Sequence, residues 1–476
     1  MPGELGYNGR VSKRARARMP ASPLVLLLAV LLPGPSPSMA QEGADPVTDL
    51  SSLTSRAERT FPTVAAADQA IEAARAQLAE AKISPYFQLE ATAAFAVMPD
   101  AQGTPAYSPD SQLPIDNQWG PATRVGVEGA IPLYTFGKLK AARQAAKAGV
   151  EAAEAGRTQS LAELRFDVRR AYFGLQMALD LQQMVSEGRP KLADALERME
   201  EKLADDDPDV NIMDKWRLAS ALAEVDARAS EAQRLESTTR AALETLSGVS
   251  ELRVPPCPLE TVEFDPRPVE RYVDRALTTR PETRKLEAAV KARDADVTRH
   301  KAGYLPDLGL ALGASFGYAP GVTNQNNPFV LNRANRRTLG AALVARWSLD
   351  LWGNVHRVRR AKAQHAETAA QARAASEGIR IEVTKAYQSL EDARRREEAW
   401  AGGERQGRSW FVAAVQGYQV GTAEPKDLVD ALKAYFTARF NHLMAIREHN
   451  EALAELERVS GAQLVAPDGW ESACGE

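Results

Sequence analysis

Between Pro62 and Lys82 the apolar residues Ile71, Ala74, Leu78 and Ala81 recur at the three-to-four spacing of one helical face. At Phe87 the period changes to two. Phe87, Leu89, Ala91, Ala93, Phe95 and Val97 alternate with Gln88, Glu90 and Thr92, which predicts a strand. A loop rich in Pro, Gly and Asp covers Pro99 to Pro121, and alternation returns with Val125, Val127, Gly129, Ile131 and Leu133. From Lys138 to about Ala204 a helical pattern runs for 67 residues, roughly 100 Å at 1.5 Å per residue, far beyond an ordinary globular helix. Met213 to Ser247 is a shorter helix. Its length and that of Pro62–Lys82 together approach the long one, which predicts two short helices stacked end to end beside it.

The same order is then written a second time, with an offset near 215 residues. Residues 165–172 (Arg165 to Tyr172) answer 380–387 (Arg380 to Tyr387). Phe136-Gly137-Lys138 answers Trp352-Gly353-Asn354, Pro85 to Leu89 answers Pro306 to Leu310, and Leu246-Ser247-Gly248 answers Val459-Ser460-Gly461. The second copy predicts strands through Leu308 to Tyr318 and Leu339 to Leu349. A long helix from Val355 to about Val420 follows, with a kink expected around Gly402-Gly403, and a last helix spans Lys426 to Ser460. The organisation is therefore a leader (1–40), a first repeat (41–254), a Pro-rich joint (255–268), a second repeat (269–461) and a short tail (462–476).

The leader carries Lys13, Arg14, Arg16 and Arg18, an apolar core from Leu24 to Leu32, a Pro-rich break, and Ser38-Met39-Ala40 before Gln41, the pattern of a secretory signal cleaved after Ala40; Met19 is an alternative start. Its apolar core is too short to span a membrane as a helix. The whole chain has a formal charge of −4, and loss of the basic leader makes the exported part more acidic, which disfavours nucleic-acid binding. The two cysteines, Cys257 and Cys474, either pair in an oxidising compartment or stand as separate thiols. No phosphate-binding glycine loop, nucleophile elbow or paired-cysteine motif is present. The histidines His300, His356, His365, His442 and His449 have no metal-ligand spacing, so neither an enzyme nor a metal or cofactor site is expected.

Four alternating runs of this length suit membrane-crossing strands of about 9 to 11 residues, and Phe95, Trp119, Phe316, Phe329 and Trp347 fall where an interfacial girdle would sit. Hairpins packed on a soluble sheet fit the same alternation. Four strands cannot close a barrel alone, since the smallest have about eight.

Several segments resemble the TolC-type outer-membrane ducts of efflux pumps and type I secretion systems. The most specific is Gly417-Tyr418-Gln419-Val420-Gly421-Thr422 followed by Asp427-Leu428-Val429-Asp430-Ala431; Arg280-Pro281-Glu282, Tyr304-Leu305-Pro306, Pro132-Leu133-Tyr134 and the Val-x-x-Ala-Tyr pairs at 168–172 and 383–387 are also similar. The resemblance implies a mainly helical fold with four membrane strands per chain. It also implies a homotrimer with a 12-stranded β-barrel in outer-membrane lipid and an α-helical tunnel reaching into the periplasm. Its partners would be a periplasmic adaptor and an inner-membrane pump. It further implies a periplasmic constriction lined by Asp427 and Asp430, gate links at Tyr418 and Asp214, and an adaptor-docking tip at Val420, Gly421 and Thr422. The family's arginine after Val-Gly-Thr is replaced by Ala423. The first-repeat tip departs further, with Asp205, Asp206, Asp207 and Asp209 forming either a solvated loop or an acidic addition to the tunnel mouth. An exported coiled-coil spacer without channel activity is the competing reading, and the strand hairpins are what a spacer does not need.

Overall fold

The computed structural model describes residues 49–86, 88–100, 119–205, 211–254, 257–322 and 334–470. The chain divides at Asp45, and every described residue belongs to the second unit, Pro46–Glu476. The leader, Phe87, Phe329, Asp206, Asp207, Asp209 and Cys474 lie outside the described residues.

The first repeat runs α1 (Leu50–Thr60), α2 (Pro62–Ile83), a 3-10 turn, β1 (Gln88–Pro99), β2 (Trp119–Tyr134), α3 (Lys138–Ala204) and α4 (Ile212–Ser247). The second runs α5 (Val269–Thr279), α6 (Pro281–Ala302), β3 (Asp307–Tyr318), β4 (Arg337–Arg346), α7 (Leu351–Gln419) and α8 (Pro425–Ser460). The long helices are as the periodicity predicts. α3 continues through Pro190, and α7 through Gly402 and Gly403. α7 begins four residues earlier than the apolar pattern suggests because Asp350 caps it, accepting from the Gly353 N–H at 3.0 Å.

Ion pairs show how the helices lie along one another. Asp68 and Arg75 of α2 meet Arg157 and Glu154 in the first half of α3, while Asp226 and Lys215 of α4 meet Arg189 and Glu200 in its second half. α2 and α4 thus flank successive halves of α3. The short α1 and α5 have no counterpart in the expected element list. Each buries one apolar stripe, Leu50, Leu53 and Ala57 in α1 and Tyr272, Val273 and Ala276 in α5.

The strands form one antiparallel sheet ordered β1-β2-β3-β4, with the two repeats joined along β2 and β3. β2 starts at Trp119, well before the alternating run, because it must pair with β1 out to Pro99. β4 ends at Arg346 rather than Leu349, since Arg346 is opposite Asp307, the first residue of β3. Trp347 instead turns back, its Nε1 donating to the Tyr304 carbonyl at 3.0 Å. One sheet face carries Leu89, Ala91, Val125, Val127, Leu312, Phe316, Leu339 and Leu343, and Leu339 is 90% exposed. The other face carries Glu90, Thr92, Arg124, Glu128, Ser315 and Thr338. A soluble sheet would bury its apolar face; this one does not.

The main core surrounds the middle of α3, where nearly every residue from Val168 to Ala178 is buried, so the helix is covered on all sides. Two polar side chains pin the segment after the joint against this core. Asp180 accepts from the Leu259 N–H (2.7 Å), and Asn450 accepts from the Val262 N–H (2.9 Å) and donates to the Glu260 carbonyl (2.8 Å). Cys257 lies buried in the same segment and is not a free thiol. Among the described residues no helix is long and apolar enough to cross a membrane.

Candidate functional site

At the end of the bundle away from the sheet, α3, α4, α7 and α8 share a second core. Leu192, Ala195 and Met199 of α3 and Leu218 of α4 pack on Phe411 and Ala414 of α7 and Leu428, Val429 and Leu432 of α8. Gly407 permits this closeness, because a Cβ there would stand 3.0 Å from the Tyr435 Cα.

The α7–α8 turn is built around one carbonyl. Gly417 O accepts from Thr422 N (2.8 Å), Ala423 N (3.2 Å) and Thr422 Oγ1 (3.2 Å), and Gly421 closes the turn at φ +77. Pro425 then opens α8 inside a capping box in which the Asp427 carboxylate accepts from the Glu424 N–H at 3.3 Å. Val420 is 74% exposed at the apex, with Gly421 and Thr422 exposed beside it. Asp427 and Asp430 are both exposed on the first turns of α8. Asp427 therefore has a structural task as well as a charge.

Tyr418 is half-buried, and its Oη donates to the Ala195 carbonyl on α3 at 3.4 Å. Burial raises its pKa, Arg198 opposes this, and the charge of Asp214 adds to the rise, so the two expected gate residues lie within electrostatic reach. They do not bond to each other. Asp214, in the first turn of α4, pairs with Arg217 at 2.8 Å. Within the chain, the α3–α7 link is thus a tyrosine on a backbone carbonyl, a contact with no side-chain signature in sequence. Asp205 caps α3, its N–H donating to Glu201 O. Beyond the undescribed acids, Ile212, Met213 and Trp216 present exposed apolar surface on α4, visible in sequence only as large apolar residues crowded into a helix's first turn.

Two further polar groups span distant elements. Glu404 of α7 accepts from His442 Nδ1 (2.5 Å) and Arg439 Nη1 (2.9 Å) of α8, with Glu397 3.6 Å from His442 Nε2. The hydrogen bond to Glu404 holds the His442 pKa above its ordinary value, and the same bond holds Glu404 below its own. Near the tail, Arg169 Nη1 bonds Glu457 Oε1 at 2.6 Å and its guanidinium lies 3.9 Å over the Trp470 ring, while Glu457 also accepts from Leu464 N (2.9 Å). Among the described residues no His, Cys, Asp or Glu cluster could hold a metal ion.

The chain's pattern matches that of the family described as OEP, outer membrane efflux protein, over residues 53–205 and 272–462. No curated protein matches it significantly in sequence. Its fold is similar to that of solved structures. CusC shares 16% identity, with 87% of this chain and 92% of that one covered at a TM-score of 0.71. A membrane protein from Pseudomonas aeruginosa shares 18% (87% and 91%, TM-score 0.72), and the open-state MtrE outer membrane channel of Neisseria gonorrhoeae shares 20% (87% and 89%, TM-score 0.67).

Proposed function

The chain belongs to the outer membrane efflux protein family and is an outer-membrane efflux channel, and we propose that it works as a homotrimeric, passive duct in which three chains close a 12-stranded barrel. The observation that carries this reading is the sheet. Among the described residues its four strands leave the outer edges of β1 and β4 unpaired and an apolar face exposed, and unpaired edges are not tolerated in lipid. Copies of the same chain supply the missing pairings, and outer-membrane lipid covers the apolar face. Its long helices then reach into the periplasm, where a periplasmic adaptor meets the Val420-Gly421-Thr422 apex and an inner-membrane pump, or a type I secretion engine, supplies the energy. The acids at Asp205, Asp206, Asp207 and Asp209 add negative charge to the same mouth. Cys257 and Cys474 pair, tying the tail to the inter-repeat joint.

In this assembly Asp427 and Asp430, repeated three times, make a ring of carboxylates at the narrow end of the tunnel, and such a ring concentrates cations. The test is single-channel recording in planar bilayers with a trivalent cation added on the helical side. Wild type is expected to show a small, cation-preferring conductance that the ion blocks, and Asp427→Ala/Asp430→Ala to be blocked at least tenfold less. Unchanged block would remove the constriction from these residues. Silence of both wild type and Tyr418→Phe/Asp214→Ala would remove the duct.

A further inference from the structure

The polar sheet face is organised in rows set by the strand register. One row pairs Glu90 with Glu128 and continues through Gly313 to Gly340; the Glu128 Cγ lies 4.0 Å from where a Gly313 Cβ would be. Four residues farther along β2, toward the β1–β2 and β3–β4 loops, another row runs Ala94, Arg124, Gly317, with Arg336 opposite Gly317 through the Gly317 N–H to Arg336 O bond of 2.8 Å. Both rows line one concave face. Arg124, Arg336, Glu90 and Glu128 are all exposed, and among the described residues none has an ion-pair partner.

Like charges directly opposite one another destabilise a sheet, so the unrelieved Glu90–Glu128 pair is a cost that packing does not explain. Arg124 and Arg336 are two strands apart, about 10 Å, across a residue with no side chain. Gly317 cannot readily be replaced, since the Ala334 carbonyl comes within 2.7 Å of where its Cβ would stand and the chain before Arg336 packs closely there. The rows are separated by about 14 Å along the strand, more than the Debye length of about 8 Å at physiological salt. The two belts therefore act separately rather than cancelling. Nearer the helices, Asp307 is held by Lys138 (2.8 Å) and lies opposite Arg346, so its charge is already compensated.

We propose that Arg124 and Arg336, on either side of Gly317 in one row of the polar face, form an anion-binding belt at the outer mouth of the lumen, for ligands carrying several phosphate- or carboxylate-type charges, with the Glu90/Glu128 belt beneath it excluding those anions from the barrel interior. This inference rests on the duct reading, which makes the polar face the lumen and repeats each belt three times. Guanidinium forks suit such anions because they bind two oxygens at once.

The experiment is calorimetric titration of the full-length, detergent-solubilised protein with tripolyphosphate, which needs no open gate. Wild type is expected to bind saturably at low salt, with affinity falling as salt rises. Arg124→Gln/Arg336→Gln should weaken binding at least tenfold, while Glu90→Gln/Glu128→Gln should not weaken it. Absence of wild-type binding, or equal binding by the arginine variant with its assembly intact, overturns the proposal. In bilayers, tripolyphosphate on the loop side should reduce wild-type current and spare the arginine variant; binding without any channel current from wild type or gate variant would remove the duct and leave the anion site.

Discussion

His442 is the residue whose protonation the surrounding charges control most directly. Glu397 and Glu404 face it from α7, Arg439 lies one turn away on α8, and Asp180 of α3 reaches the same group through Arg439. Its folded pKa is raised, so its contribution to stability is complete below the unfolded value of about 6.5 and is lost as pH rises through the folded value. Glu404 is depressed, so its contribution is present above its unfolded value and is lost as pH falls through the folded one. The pair is strongest between those limits, from mildly acidic to near-neutral pH. His442→Gln should therefore destabilise by about 1–3 kcal/mol near pH 6 and by less at pH 8.5, seen as two thermal melts whose difference shrinks with pH; an equal loss at both would show that the histidine acts by shape alone. None of this shows in the sequence, because the partners of His442 lie 38 and 45 positions away on another helix. Asp427 was legible as an acid in a first turn, but its hydrogen bond to the Glu424 N–H depends on the turn geometry that Gly417 and Gly421 create.

At the scale of elements, two hydrophobic periods, two and 3.6, mark every strand and every long helix, because most of each element keeps one face buried or exposed. α1 and α5 are harder to see in sequence, because each is only 11 residues, about three turns, and lies next to a longer helical run that opens with a proline. The middle of α3 is the exception, since α1, α4, α8, the segment after the joint and the tail cover it from every side. Arg169 holds that arrangement together. Its bond to Glu457 is nearly buried, with the side chains 10% and 12% exposed, and Glu457 in turn fixes the Leu464 and Val465 N–H groups at the start of the tail. Removing one partner strands a charge, so Arg169→Met should cost about 3–5 kcal/mol and free the tail to proteolysis. The double variant Arg169→Met/Glu457→Met should cost less than Arg169→Met alone. Additive losses in that cycle would mean that the two residues act independently, and that Trp470 stacking alone retains the tail.

For the whole molecule, the membrane is what turns an exposed apolar sheet from a liability into a requirement. Leu312 and Leu343 sit near mid-strand on the apolar face, in adjacent strands, with Leu343 80% exposed. Gly313 and Ser315 occupy the opposite face of the same strand, one residue along from Leu312 and Ala314. Because successive side chains alternate in direction, moving a charge by one position moves it from lipid to lumen. Leu343→Arg is expected to destabilise the inserted form by about 2–4 kcal/mol, the cost of an arginine at the bilayer midplane, and Leu312→Arg to do the same. Ala342→Arg, one position from Leu343 and on the polar face, should insert normally and alter only conductance. Heat-modifiable assembly in outer-membrane fractions, measured for the three variants together, separates the alternatives: equal loss in all three would mean that the sheet is buried against protein on both faces, whereas loss confined to the two leucine variants is the outcome that a lipid-facing barrel wall requires.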